Sequence, residues 1–122
     1  MTTRRLIVAG VCAVPVLIFG GVHLFAAQAP LPAPDTQKLV IDNAFVRVFD
    51  IRVPPGVMEA RHSHPHGVTV ALTDYDNETR VDGGRWVRSH TKAGEVKWAE
   101  PVTHEARNVG ATEQHVIRIE LK

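Results

Sequence analysis

Beyond residue 30, no stretch of this chain carries the 3.6-residue apolar period of an amphipathic helix. That length is filled by short runs of β-branched and aromatic residues, broken by Gly, Pro, Asn and Asp about every ten residues. Lys38–Ile41 and Phe45–Val53 lie on either side of Asp42 and Asn43, and Pro54-Pro55-Gly56 closes the second run. Val68–Leu72 is apolar throughout and predicts a strand covered on both faces. Glu78–Val81 and Arg85–Ser89 flank Asp82-Gly83-Gly84, a two-strand turn signal. Glu95–Trp98 and Glu105–Asn108 predict further short strands. Between His115 and Leu121, His115, Ile117, Ile119 and Leu121 alternate with Val116, Arg118 and Glu120; the first set is expected to face inward. The pattern predicts one all-β sandwich or barrel over residues 38–122, with no repeat and no second domain.

Residues 1–29 have a different character. Arg4 and Arg5 precede an uncharged apolar run from Leu6 to Ala27, and Ala27-Gln28-Ala29 has the small-x-small form of a cleavage site. This predicts an export signal and an exported, periplasmic or extracytoplasmic location. The run is also long enough to span a bilayer, and Pro30 disfavours cleavage, so an uncleaved anchor in the inner membrane through residues 6–27 is the alternative. The Arg4-Arg5 pair also resembles the start of a twin-arginine signal, which would export the protein already folded. Residues 30–37 are proline-rich and predict an extended, poorly packed linker.

Without Arg4 and Arg5, the 14 basic residues of the chain become 12 against 13 acidic ones. A near-neutral domain without a basic run argues against nucleic acid as a partner. The sole cysteine, Cys12, lies in the N-terminal segment, so the domain has no disulfide, thiolate ligand or cysteine nucleophile. Nor is there a Gly-x-Ser-x-Gly elbow or a phosphate-cradling glycine loop.

The chemistry is concentrated in histidine. His62, His64 and His66 follow the Pro-Pro-Gly turn, and His104 lies in a second strand-and-turn setting. Imidazole is the commonest side-chain ligand of transition metals. On a strand, residues i and i+2 share a face, so His62 and His64 can reach one ion together.

These residues resemble the motifs of the cupins, small double-sheet β-barrels (double-stranded β-helices, or jelly rolls). The first cupin motif runs Gly, five residues, His-x-His, then Glu three or four residues on; Gly56, His62 and His64 match its first half. The second ends in His, three residues, Asn, as do His104 and Asn108, and Gly94 stands near where it begins. The chain departs from both motifs. The Glu would fall at Val68 or Thr69, and Pro101 is too close to His104 for the second motif's proline-glycine spacing. The resemblance covers residues 38–122 and implies a small single-domain cupin with His62, His64 and His104 as metal ligands. Three-histidine cupins include ferrous thiol dioxygenases, although the substrate-binding residues of those enzymes have no match here.

Three neutral imidazoles around a divalent ion (Fe, Mn, Zn or Ni) leave positions open for water, oxygen or a small organic substrate. The expected function is therefore that of a metal-dependent, oxygenase-type enzyme, with a non-catalytic small-ligand or metal-binding module as the alternative. His66 shares strand parity with His62 and His64 and would serve as a fourth ligand; Pro65 and Gly67 predict instead a bend that turns it to the rim. Asn108 is expected to fix its turn or to hydrogen-bond a ligand. His115 is expected as a satisfied core or rim histidine, and His90 in solvent. Phe49, Met58, Trp86, Trp98 and Ile117 are candidates for core or pocket lining, and Arg61 and Arg107 for contacts to an acidic substrate or to solvent. Asp74, Asp76 and Glu78 read as a solvated acidic loop. A homodimer would cover exposed strand edges.

Overall fold

Nine strands and no helix make up residues 34–122, the part of the chain described by the computed structural model. They are β1 (Gln37–Asp42), β2 (Val46–Val53), β3 (Met58–His64), β4 (Gly67–Ala71), β5 (Tyr75–Val81), β6 (Val87–Thr91), β7 (Val96–Ala99), β8 (Val102–Asn108) and β9 (Gln114–Leu121). One sheet has the order β1-β2-β9-β4-β7 and the other β3-β8-β5-β6. Every strand pair is antiparallel. This is the two-sheet jelly roll expected from the spacing of the turn signals. The expected signal or anchor, residues 1–29, lies outside the described residues.

Local chemistry sets the turns. Asp82 and Gly83 both adopt positive φ, 47° and 71°, and Gly84 N donates to Val81 O at 2.9 Å, closing the β5–β6 hairpin. Asn43 caps its own turn, with Oδ1 accepting from the backbone of Phe45 and Val46. A register shift between Glu59 and His62 on β3 places three residues where a regular strand would place two. As a result Glu59, His62 and His64 are all buried on one side of the strand.

The interior changes character along the β2–β9 ladder. Phe49, Ile51, Val53 and Val116 form the apolar core, against which Val57 and Tyr75 pack. Ile51 pairs with Val116, Phe49 with Arg118 and Arg47 with Glu120, so the ladder passes from apolar to charged. Cross-strand partners share a face.

Two expectations need correction. On β9 the buried residues are Val116, Arg118 and Glu120, while Ile117 and Ile119 are half-buried and Leu121 is exposed. The inward set is the opposite of the one expected, because this end of the barrel is lined with charge and the aliphatic residues lie on the outer face. On β4, Val68 and Val70 are only half-buried, because among the described residues nothing covers the outer face of that sheet, and Thr69 on the inner face is half-buried too. In addition, the segment read as a linker is ordered at its end: β1 begins at Gln37, and Gln37 is buried.

Gly67 follows from the close passage of β9. A Cβ there would stand 2.3 Å from Ile119 O and 3.3 Å from the Cα of Glu120, both backbone atoms. Gly67→Ala is therefore expected to destabilise the fold by about 1–3 kcal/mol, because the β4–β9 ladder must part to admit the methyl group. A denaturant midpoint unchanged from wild type would contradict this.

Candidate metal centre

His62 and His64 reach the interior from β3, and His104, directly opposite His62 in the β3–β8 register, joins them. One nitrogen from each of the three rings lies within 4.8 Å of the other two. The Nε2 atoms of His62 and His104 are 3.1 Å apart. Two nitrogens bound to one ion at about 2.1 Å, with a right-angled or tetrahedral arrangement, would be about 3.0–3.4 Å apart. The rings meet edge to face, with centroids 4.6, 4.7 and 5.3 Å apart.

Hydrogen bonds on the far side of two rings fix which nitrogen is free. His62 Nδ1 donates to Ala60 O at 2.6 Å, and His64 Nδ1 donates to Glu120 Oε1 at 2.7 Å. A carbonyl and a carboxylate can only accept, so in the neutral rings both protons sit on Nδ1 and both Nε2 lone pairs face the cluster. Glu120 is itself held by Arg47 at 2.8 Å and by Arg118 at 3.4 Å, and Arg118 Nη2 also donates to Pro65 O at 3.0 Å. Glu120 is 2 % exposed, yet every near neighbour favours its charged form.

The electrostatics keep the site ready for a cation. Burial, reinforced by His62, His64 and Arg118, lowers the His104 pKa from 6.5 to about 3. Burial also lowers His64, against the upward pull of its hydrogen bond to Glu120. For Glu120 burial acts upward, but the hydrogen bond from His64 and the charges of Arg47 and Arg118 hold the carboxyl below its ordinary value. At neutral pH, then, His64 and His104 are neutral and Glu120 is ionised.

Acidification should weaken the metal-free fold. Below pH 6.5 an unfolded histidine takes up a proton that folded His104 refuses until about pH 3, so the unfolded state binds more protons across that window. Stability is then lost as pH falls, at about 1.4 kcal/mol per pH unit at full slope for one such histidine, and the lowered His64 adds in the same direction. Thermal unfolding of the metal-free protein between pH 7.5 and pH 5 tests this; a midpoint that is flat or rises on acidification would contradict it.

The remaining expected residues lie elsewhere. His66 is in the bend after β3, exposed, 3.0 Å from Glu100 and tilted against Trp98, outside the group of three histidine nitrogens. Asn108 is buried but fixes a turn: its Nδ2 donates to Val53 O and Thr112 O, and its Oδ1 accepts from Gly110 N. His115 lies on the outer side of β9 with Nε2 2.8 Å from Asp50, and exposed His90 pairs with Asp76. Arg61 pairs loosely with Asp82 at the surface, while Arg107 binds Glu78 and, with Arg80, stacks on Trp86. Of the lining candidates, Phe49 is core, whereas Met58 and Trp98 are exposed and Ile117 faces outward. Asp74 accepts from Ala93 N, and Asp76 and Glu78 hold outer ion pairs. An open hollow of about 310 Å³ borders the site, with His64, Val81 and Val102 among its lining residues.

Sequence reasoning missed Glu120, Arg118, Glu59 and Gln37, all buried. The available signal was the Arg118-x-Glu120 pair, on one face of a strand whose other residues from Val116 to Leu121 are aliphatic.

Comparison with known proteins agrees with this fold. No family model and no curated protein matches the chain. Among solved structures, a cupin domain from Bordetella pertussis is 31 % identical, with a TM-score of 0.65; the match covers 70 % of this chain and 91 % of that one. A conserved protein with a double-stranded β-helix domain from Klebsiella pneumoniae, 21 % identical, matches with a TM-score of 0.57 over 79 % of each chain. An RmlC-like cupin family protein from Methanocaldococcus jannaschii, 10 % identical, also matches at 0.57, over 80 % of this chain and 84 % of that one. The last two carry the fold alone.

Proposed function

The chain belongs to the cupins, and from that premise we propose that it holds one divalent transition-metal ion on His62, His64 and His104 and uses it as an oxygenase-type enzyme on a small organic substrate. The observation that carries this reading is the ligand set: three imidazoles converge without a carboxylate among them, and Nε2 is unprotonated in both neutral rings whose Nδ1 is bonded. Neither Val68 nor Thr69, the two positions on β4 where the motif's Glu would fall, is a carboxylate, and Thr69 pairs with the inward Arg118 of β9, so the ion keeps its positive charge and its open positions. Bound there, Fe or Mn would supply oxygen-binding chemistry, and Zn or Ni would supply Lewis acidity. The protein's own contribution is orientation. Ala60 O and Glu120 hold two of the rings, and the barrel wall limits water around them.

A non-catalytic binding module is the second reading. The burial of His62, only 1 % exposed, favours it, because a sealed ligand suits retention of an ion more than turnover. Elemental analysis of the full-length protein, purified without added metal, separates these possibilities in steps. About one equivalent of transition metal, absent from His62→Ala, supports the site; no metal after anaerobic iron(II) reconstitution sinks it. Oxygen uptake by the iron-loaded protein with a panel of small thiols and other small organic compounds then supports the enzyme, and tight binding without uptake supports the module.

We extend the proposal to location and assembly. The basic start and apolar run of residues 1–29 support export, with the segment either cleaved or kept as an anchor. On edge strand β1, Leu39, Val40 and Ile41 are about half exposed and nearby Phe45 is more so, which supports pairing of two copies along that edge.

A further inference from the structure

One buried polar atom beside the histidines has no partner among the described residues. Gln37, on β1, is 8 % exposed, and its Oε1 is sealed from solvent without a hydrogen bond. Buried acceptors are rarely left unpaired. The nitrogen of the same amide is doubly used: Nε2 donates to Glu59 Oε1 at 3.1 Å and to His62 Nε2 at 3.1 Å. The second contact occupies the lone pair that an ion on His62 would take. The amide therefore stands against the ligating nitrogen, carrying an oxygen that lacks any donor.

The surroundings hold it there. Glu59 is buried, and the register shift that precedes His62 leaves both residues on the inner side of β3. The Thr36 hydroxyl donates to the same Glu59 oxygen that accepts from Gln37. Gln37 pairs with Ile51 on β2, which fixes its position along the wall. A carboxamide oxygen is a neutral, hard donor suited to a divalent ion.

We propose that Gln37 is the fourth protein ligand of the metal: when an ion takes the His62 lone pair, the amide turns to give its Oε1 to the ion from β1, while Nε2 keeps its bond to Glu59. This rests on the three-histidine site proposed above. It gives the ion a fourth protein contact without the negative charge that the motif's Glu would have brought from β4.

Cobalt(II) titration of the full-length protein tests this, read by affinity and by the visible ligand-field bands. Gln37→Met keeps the volume and removes both polar atoms; it should weaken cobalt binding by at least about tenfold and shift the bands. Gln37→Glu, which restores an oxygen donor, should bind at least as tightly as wild type with a band shift of its own. If wild type binds, His62→Ala does not, and Gln37→Met matches wild type in affinity and bands, the Gln37 assignment falls and the histidine site stands. Weaker binding with unchanged bands overturns it too, because the residue would then only position His62. Absence of cobalt binding by wild type overturns both. Thermal unfolding of metal-free Gln37→Met shows whether it folds; if it does not, Gln37→Glu decides, and wild-type bands there overturn the assignment.

Discussion

His62→Ala and His104→Ala are each expected to lower the affinity of the full-length protein for iron(II) or cobalt(II) by at least about a hundredfold, with the β-sheet circular dichroism retained. His62 is the pivot of the cluster. Its Nε2 lies 3.1 Å from that of His104, and its ring packs edge-on against both other imidazoles. Removing either residue leaves only two imidazole nitrogens for the ion, a site that ordinary chelators would empty. The fold should survive because the apolar core of Phe49, Ile51, Val53 and Val116 lies further along the barrel, and neither ring belongs to it. Calorimetric titration and metal content after dialysis read the effect. One equivalent of metal retained in both variants would remove the basis for a histidine-held ion.

The three histidines were legible in the sequence for a simple reason. His-x-His needs only strand parity to converge, and the Gly56 and Asn108 spacings marked two strands that turn out to be neighbours, β3 and β8. The strands and the β5–β6 turn were legible in the same way, from β-branched runs punctuated by Asp82-Gly83-Gly84. The surroundings of the site were not. Periodicity separates the two faces of a strand but does not say which is inside, and hydrophobicity pointed the wrong way on β9. Glu120 and Arg118 face inward because they satisfy each other and His64 there, a fact spread over β3 and β9 that no local pattern contains. Gln37 looked like the end of a loose linker; only its pairing with Ile51 brings it to the wall. The shift between Glu59 and His62 was equally invisible, since a bulge is written in the partner strand as much as in its own.

Glu120→Ala is expected to cost about 3–5 kcal/mol of stability and, separately, about 10- to 100-fold in metal affinity. The stability loss comes from Arg118, buried with its guanidinium and left without the carboxylate that compensates it; Arg47, a third exposed at its side chain, can turn to water. The affinity loss comes from His64, whose Nδ1 proton loses its acceptor, so that neither the tautomer nor the ring orientation remains fixed. The two effects can be separated. In Glu120→Leu with Arg118→Met the charge and its partner are removed together, and replacing a buried ion pair by apolar groups of similar size is often neutral or better. The double variant should therefore recover most of the stability lost in Glu120→Ala while keeping its weakened metal binding. Recovery of both would mean that Glu120 serves only the fold. Recovery of neither would mean that the interior at this end of the barrel tolerates no apolar replacement, and that the charged lining of β9 is required by the architecture as well as by the site.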